Sequence, residues 1–515
     1  MRYNIFFISL AVCLLIAISC SEDVLEKENR NRQTTGTYYK NASEISSALN
    51  GVYAILQSNS LGGREWFFLH DLRGDEMASG GGHLETHRNQ ILIGTHDAGN
   101  DILLQNWTGC YRLILRANAV IQFAPDAEFS DEGLRSRYIG EAKFLRGWAY
   151  YQLYTLWGDA PIYEEFATTL DGAKPRSPKA DVKALIVRDF TDAINSLPNS
   201  YTGNDLGRAT KIAAQAMLAK LYMFDAQYNE AKPLLEAVIS YGESVSGGNP
   251  LMDNYFDNFT EESEFNKESI WEIAYTSNGN YSWDGDGNDY GPNESWIRSQ
   301  EYSAVGWRNL IPSDKLLAEF EDGDPRLHDN FYFTGDMFGD PSSPVELTDG
   351  AQRGNTSMYK GVEQKVSWKK YSVMYKLDPG GYYDQIGINY RMIRYADIYL
   401  LLAECENEVG TPAKAIEYLN KTRNRPSVSM PEYPTAEYPT GTKEEIMKAI
   451  MHERMVELAG EEQRNTDILR WRKAGKFDTE PISYFVPNKY ELLPVPIAEL
   501  DANPVIEQSD QNPGY

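Results

Sequence analysis

The chain has 515 residues, 75 of them acidic and 49 basic, for a formal net charge of −26. A surface so negative repels phosphate and excludes nucleic acid as a partner. The length allows more than one hydrophobic core, yet no Pro/Ser-rich linker or charge run separates domains, so residues 41–515 read as one compact body with long insertions.

Arg2 precedes an apolar run from Ile5 to Ile18 that closes on Ala17-Ile18-Ser19-Cys20. The run is too short to span a bilayer and has the basic start and small-residue end of a secretory signal, here residues 1–19. Small residues directly before a cysteine resemble the lipobox of bacterial lipoproteins, although Ala17 departs from the leucine usual there; a plain signal peptide cut elsewhere is the alternative. The resemblance implies lipidation of Cys20, and Glu22 with Asp23 resembles the surface-export signal of some Gram-negative lipoproteins. Residues 20–40 then form a polar tether, and no later run is apolar enough for a membrane helix. Loss of Arg2 from the 49 basic residues leaves 48 against 75 acidic ones, a charge of −27. Loss of Cys13 and lipidation of Cys20 leave Cys110 and Cys405, each on an apolar helical face: two buried thiols, with one bridge between them as the alternative.

Helical patterns follow at Ser43–Gln57, Asp101–Phe123, Arg135–Trp157 and Asp181–Leu197. Ser43 with Glu44 suits a cap on the first, while Pro125 and Gly158-Asp159-Ala160-Pro161 close the second and third. Lys211–Tyr241 reads as a helical hairpin. So does Ile393–Arg425, where Ile398, Leu401, Leu402 and Cys405 recur at i, i+3, i+4, i+7 ahead of Ala415, Ile416 and Leu419. In its turn, Gly410 suits a left-handed helix end, Thr411 a cap and Pro412 a first helical position.

The two hairpins correspond at one offset of 184 residues (402 less 218): Leu218, Ala219, Ala231 and Leu235 match Leu402, Ala403, Ala415 and Leu419, with Ala226 in the place of Gly410. That fits the tetratricopeptide unit of about 34 residues, a helix pair that buries its apolar face only by stacking on others; two unrelated hairpins are the alternative. With a last pair at Lys443–Leu458 and Gln463–Lys473, the expected fold is mostly α. Four tetratricopeptide-like helix pairs form a scaffold, three within residues 41–241 and the fourth within 390–515, ahead of a C-terminal tail. Residues 242–389 form a large irregular, loop-rich insertion in which Gly, Asn, Asp, Tyr and Trp crowd together and helical periodicity survives only around Pro312–Phe320.

Binding chemistry concentrates in Asn278–Trp307. Sugars present C–H faces that stack on aromatic rings and hydroxyls that pair with amides and carboxylates. Tyr281, Trp283, Tyr290 and Trp296 are rings in the company of Asn280, Asp284, Asn288 and Asn293. The alternative is that these rings pin a floppy loop to the helices. A second candidate is Gly62–His87, with Trp66, Arg73, Asp75, Glu76, His83 and His87.

Several segments together resemble the SusD/RagB family of surface nutrient-binding lipoproteins. They are Glu141–Pro161 (EAKFLRGWAYYQLYTLWGDAP), Gly207–Phe224, Tyr395–Gly410 (YADIYLLLAECENEVG), Leu419–Arg425 (LNKTRNR), Glu453–Trp471 (ERMVELAGEEQRNTDILRW) and Leu492–Tyr515. They occur in family order from end to end. The resemblance implies the four helix pairs, an outer-membrane lipid anchor, and a partner: a SusC-like TonB-dependent transporter barrel that the protein caps as a lid. It also implies binding of a nutrient, most often a glycan or oligosaccharide and in some members peptide, without breaking bonds. In the family a ligand-contacting loop often follows an Asp-Glu pair such as Asp75-Glu76, but here the following residues hold no Trp or Tyr, which leaves room for peptide. Gln463 and Asn465-Thr466 depart from the family pattern. Arg146, Arg394, Arg423, Arg454 and Arg470, with Glu404, Glu453 and Glu457, read as charge pairs that fix helix contacts.

Asp284-x-Asp286-x-Asn288 starts like a calcium loop, but Asp289 replaces the turn glycine and Ser295 stands where a bidentate glutamate belongs. His83 and His87 have a helical metal spacing without the H-E-x-x-H order. No cofactor is expected, with calcium as the alternative. A secreted glycoside hydrolase is the rival reading, since a carboxylate pair has no sequence signature.

Overall fold

The structure, a computed structural model, describes residues 34, 36–82, 84–167, 172–283, 293–376 and 385–515. Cys20, His83, Asp284, Asp286, Asn288, Asp289 and Tyr290 lie outside the described residues.

The helices are α1 (Ala42–Leu56), α2 (Arg64–Leu72), α3 (Thr86–Leu92), α4 (Asp101–Phe123), α5 (Glu132–Leu156), α6 (Lys179–Ser196), α7 (Lys211–Phe224) and α8 (Tyr228–Ser246). They continue with α9 (Arg298–Tyr302), α10 (Asp314–Glu319), α11 (Arg326–Asn330), α12 (Tyr395–Val409), α13 (Pro412–Arg423), α14 (Lys443–Glu457), α15 (Arg464–Lys473) and α16 (Ile497–Ala502). The cap of α1 is Asn41 rather than Ser43: its side chain accepts from the Ser43 and Glu44 amides. Thr442 and Glu445 close a capping box on α14.

Each long helix packs on the next through its apolar stripe: α1 on α4, α4 on α5, α5 on α6, α6 on α7, α7 on α8, α8 on α12 and α12 on α13. These are the four stacked pairs. Leu218, Ala219, Ala231 and Leu235, and their counterparts Leu402, Ala403, Ala415 and Leu419, are all buried, so the repeated residues are the ones that fill the crossings. The two turns differ. Ala226 takes the left-handed conformation at φ 55°, whereas Gly410 sits at φ −116°, because the Glu406 carboxylate folds back to accept from the Thr411 amide at 3.2 Å and ends the helix by itself. Thr411 and Pro412 act as expected, Thr411 accepting from the Lys414 amide. The closing two helices do not pair as a hairpin: α14 packs on α12, α13 and α10, while α15 crosses to α2 and α7.

Residues 242–389 are not a separate lobe. Strand Ser269–Ile273 pairs antiparallel with Tyr390–Arg394, and Leu310–Pro312 pairs with Met77–Ser79 from the first half of the chain. A layer of buried ion pairs fastens the insertion to the helices. The Arg394 guanidinium meets Glu268, Glu457 and Glu461 at 2.7–2.8 Å, Arg425 meets Glu268 at 2.7 Å and Glu457 at 2.8 Å, and Arg326 reaches Glu457 at 3.0 Å. Burial alone would push the Glu268 and Glu453 carboxyls up, but the guanidiniums hold both down to about 2. Arg146 pairs with Asp189, Arg454 with Asp397 and Asp467, and Arg470 with Glu404. The arginines singled out in the sequence are therefore fixings.

Cys110 and Cys405 are free buried thiols, Cys405 with its Sγ 3.2 Å from Met223 Sδ. Among the described residues no helix is long and apolar enough to cross a membrane.

Candidate functional site

The loop between α1 and α2 turns tightly: Gly62 has φ 79°, and a Cβ there would lie 2.2 Å from the Leu56 carbonyl oxygen. That turn sets Asn59 where it clamps a distant segment. Its Nδ2 donates to the Ser282 and Trp283 carbonyls at 3.2 and 3.1 Å, and its Oδ1 accepts from the Tyr281 hydroxyl at 3.1 Å and from Asn293 Nδ2 at 3.0 Å. Asn293 Oδ1 in turn accepts from the Ser282 amide. One buried amide thus uses both donors and its acceptor to order the backbone under Trp283.

Trp283 is 42% exposed. Its ring centroid lies 5.1 Å from that of Trp307 at a 30° tilt and 4.9 Å from that of Tyr281, edge-on, with the Arg64 guanidinium 5.3 Å from the Trp283 ring. Beside this platform opens a cleft of about 340 Å³, lined by Asn59, Arg64, Glu65, Glu85, Asp101, Gln105 and their neighbours. Glu85 and His87 are exposed on its rim, and Asp101 accepts from Gln105 at 2.6 Å. Burial pushes the Glu65 carboxyl up in spite of Arg88 and Arg64, and pushes the Tyr281 hydroxyl up as well. A half-exposed ring platform next to carboxylates and amides is suited to a molecule with one apolar face and hydroxyls around its edge.

Of the residues singled out in the sequence, Trp283 and Tyr281 come together here. Trp296 does not. It is 2% exposed, stacked on Tyr275 at 5.5 Å and 9°, and hemmed by Phe67, Tyr371 and Tyr390, so its ring pins the loop to the core. Trp66 is equally unavailable, buried against His70, Trp148 and Tyr390. Arg73 is buried and donates to the Tyr490 carbonyl of the C-terminal tail. Asp75 is engaged by Arg464 and Lys315, and Glu76 accepts from the Gly460 amide, so the Asp-Glu pair anchors the region after α14. These rings and charges looked ligand-facing because loop composition does not distinguish a ring packed inward from one packed outward.

Trp307, Asn59, Arg64, Glu85, Asp101 and Gln105 were missed. Trp307 closes the aromatic stretch and had a signal; the others come from the loop before α2 and from the starts of α2, α3 and α4, and only the fold assembles them. Asp284, Asn288 and Tyr290, and the calcium-like loop with them, lie outside the described residues, as does His83 of the histidine pair. Among the described residues no group of three or more potential metal ligands occurs.

Two family profiles match the chain: the SusD family over residues 267–515, and "Starch-binding associating with outer membrane" over residues 23–223. Two SusD-like proteins of Formosa agariphila are each 27% identical, over 98% of this chain and 99% of one relative, and over the whole of both chains for the other. A solved laminarin-binding SusD-like protein is 25% identical over 93% of this chain and 100% of its own, with a TM-score of 0.69. A SusD-like carbohydrate-binding protein of Bacteroides fragilis shares the fold at a TM-score of 0.75, with 21% identity over 91% of this chain and 99% of its own.

Proposed function

This chain belongs to the SusD/RagB family, and from that premise we propose that it is a surface lipoprotein that captures a glycan or oligosaccharide and hands it on without cleaving it. The observation that carries the reading is the exposed Trp283, tilted against Trp307 over a polar cleft. An aromatic face beside acceptors and donors is what a sugar ring requires. The names of the laminarin-binding and carbohydrate-binding relatives describe binding proteins and support the same class.

In the fuller form of the proposal, lipidated Cys20 tethers the protein to the outer membrane with its body outside the cell. The protein then serves as a lid on a SusC-like TonB-dependent transporter. The family profile's association with the outer membrane supports this placement. Replacing Cys20 by Ala should release the protein from the membrane fraction, and the tethered form should co-purify with a transporter barrel.

Affinity electrophoresis tests the binding. Trp283→Ala should remove retardation by the cognate polysaccharide, a loss of at least about ten-fold in affinity, while the melting temperature stays put. Retention that survives the substitution, or release of reducing sugar on long incubation, would sink the reading. Titration with peptides in place of oligosaccharides distinguishes the peptide-binding variant of the same lid.

A further inference from the structure

We propose that the Trp283 cleft takes an uncharged sugar chain and rejects uronic acid and sulfated glycans; the proposal rests on the reading of this cleft as a glycan site. Three of the side chains that line it, Glu65, Glu85 and Asp101, are carboxylates. Carboxylates accept hydrogen bonds from sugar hydroxyls and have none to give an anion. The Glu85 side chain is 61% exposed, so its charge faces whatever enters.

The arginines nearby already stand against carboxylates. Arg64 bonds Glu301 through Nε, stands 3.6 Å from Glu65 and 3.4 Å from Glu85, and has only 12% of its side chain exposed. Arg88, 1% exposed, lies 2.8 Å from Glu65 and 3.4 Å from Glu85. His87 accepts the Asp101 amide through Nδ1 at 3.4 Å. Side-chain recognition of a carboxylate or sulfate calls for an open guanidinium fork or ammonium group, and none of the described lining side chains supplies one. Like charges inside a Debye length of about 8 Å repel at physiological salt. The chain as a whole, at −26, adds to that repulsion.

Calorimetry of the full chain with size-matched oligosaccharides tests this, using neutral gluco-, xylo- and manno-series against alginate, galacturonate and sulfated galactan. At about 0.05 M salt a neutral series should bind in a Trp283-dependent way, with every anionic series at least about ten-fold weaker. Raising the salt to about 0.5 M, or making the Glu85→Gln plus Asp101→Asn variant, should narrow that gap. An anionic series that binds as tightly as any neutral one, through Trp283, overturns the proposal and leaves the glycan reading intact. A gap that neither salt nor the double variant narrows overturns its electrostatic basis. Binding of no oligosaccharide, or binding indifferent to Trp283→Ala, removes the glycan reading and the proposal together.

Discussion

Trp283 and Trp296 belong to one aromatic stretch and one loop-rich region, yet the first is 42% exposed over a polar cleft while the second is 2% exposed among Phe67, Tyr275, Tyr371 and Tyr390. The difference lies in what holds each. Trp296 is sandwiched by rings and by Arg298, whose guanidinium is in turn held by Asp71 and Glu462. Trp283 is held from behind through its backbone, by an amide, and its ring is left half free. The inner part of the insertion is thus built as core and ion pairs, the rim as a backbone clamp carrying a half-exposed ring. Substitutions should therefore separate the two: stability fails at the inner part, binding at the rim.

The largest effect is expected at Glu457, which lies within 2.8–3.0 Å of Arg394, Arg425 and Arg326. Glu457→Ala leaves three buried guanidiniums short of a partner and should cost about 5 kcal/mol, the upper end for a broken buried pair. Urea denaturation would read this, and a loss under about 1 kcal/mol would show that the layer is hydrated rather than buried. Trp296→Ala comes next, at about 3–4 kcal/mol for an aromatic cavity. Trp283→Ala should stay within about 0.5 kcal/mol in the same assay, and the comparison breaks if the two tryptophans destabilise alike.

The buried charges also set a pH profile. Burial opposes ionisation of Glu268, Glu453 and Glu321, but Arg425 and Arg394, Arg326, and His452 with Arg423 respectively hold them at about 2. A depressed carboxyl contributes stability above its unfolded value of about 4.3 and loses it as pH falls toward 2. His452 goes the other way: burial would lower it, yet Glu319 and Glu321 raise it to about 9. Its contribution is complete below about 6.5 and disappears as pH rises through 9. Glu462, pushed up by burial and by Asp71 despite Arg298, also loses stability as pH rises, but from its unfolded value of about 4.3 onward, so it tilts the plateau toward its acid end rather than steepening the alkaline limb. Denaturation midpoints should peak between about pH 5 and 6.5, and His452→Gln should flatten the alkaline limb. A profile level from about pH 3 to 9 would remove these pairs from the account.

The scaffold could be read from the chain because each helix writes its buried face at a fixed spacing, and the 184-residue correspondence named the very residues that fill two crossings. The arginines were legible for a related reason: a helix that places Arg454 and Glu457 on interior faces must pair them. The turn at Gly410 was misjudged because a side chain four residues upstream, Glu406, supplied the cap. The site was only half legible. Period and spacing say nothing about which way a loop ring faces, so Trp296 drew the same inference as Trp283, and Trp66 did so because the short helix α2 that buries it stands in a stretch read as a loop. The cleft's opposite wall comes from three separate helix starts, which no local pattern links.

The smallest and most specific effect is expected at Asn59. Asn59→Ala removes the two donors under Ser282 and Trp283 and the acceptor for Tyr281 and Asn293, but of the platform rings it bonds only the Tyr281 hydroxyl and not Trp283 or Trp307. Of the four bonds only the one from Asn293 is fully buried, and a buried partner left unsatisfied costs on the order of 1 kcal/mol, whereas the part-exposed ones turn to water. The fold should lose about 1 kcal/mol, and oligosaccharide affinity should fall about three- to five-fold, less than for Trp283→Ala. Asn59→Asp keeps the acceptors for Tyr281 and Asn293 while setting a carboxylate against two carbonyl oxygens, so it should be no better than Ala. Were Asn59→Asp to bind as well as the natural protein, the clamp would owe nothing to its two donated bonds, and the half-free Trp283 ring would need another source of order.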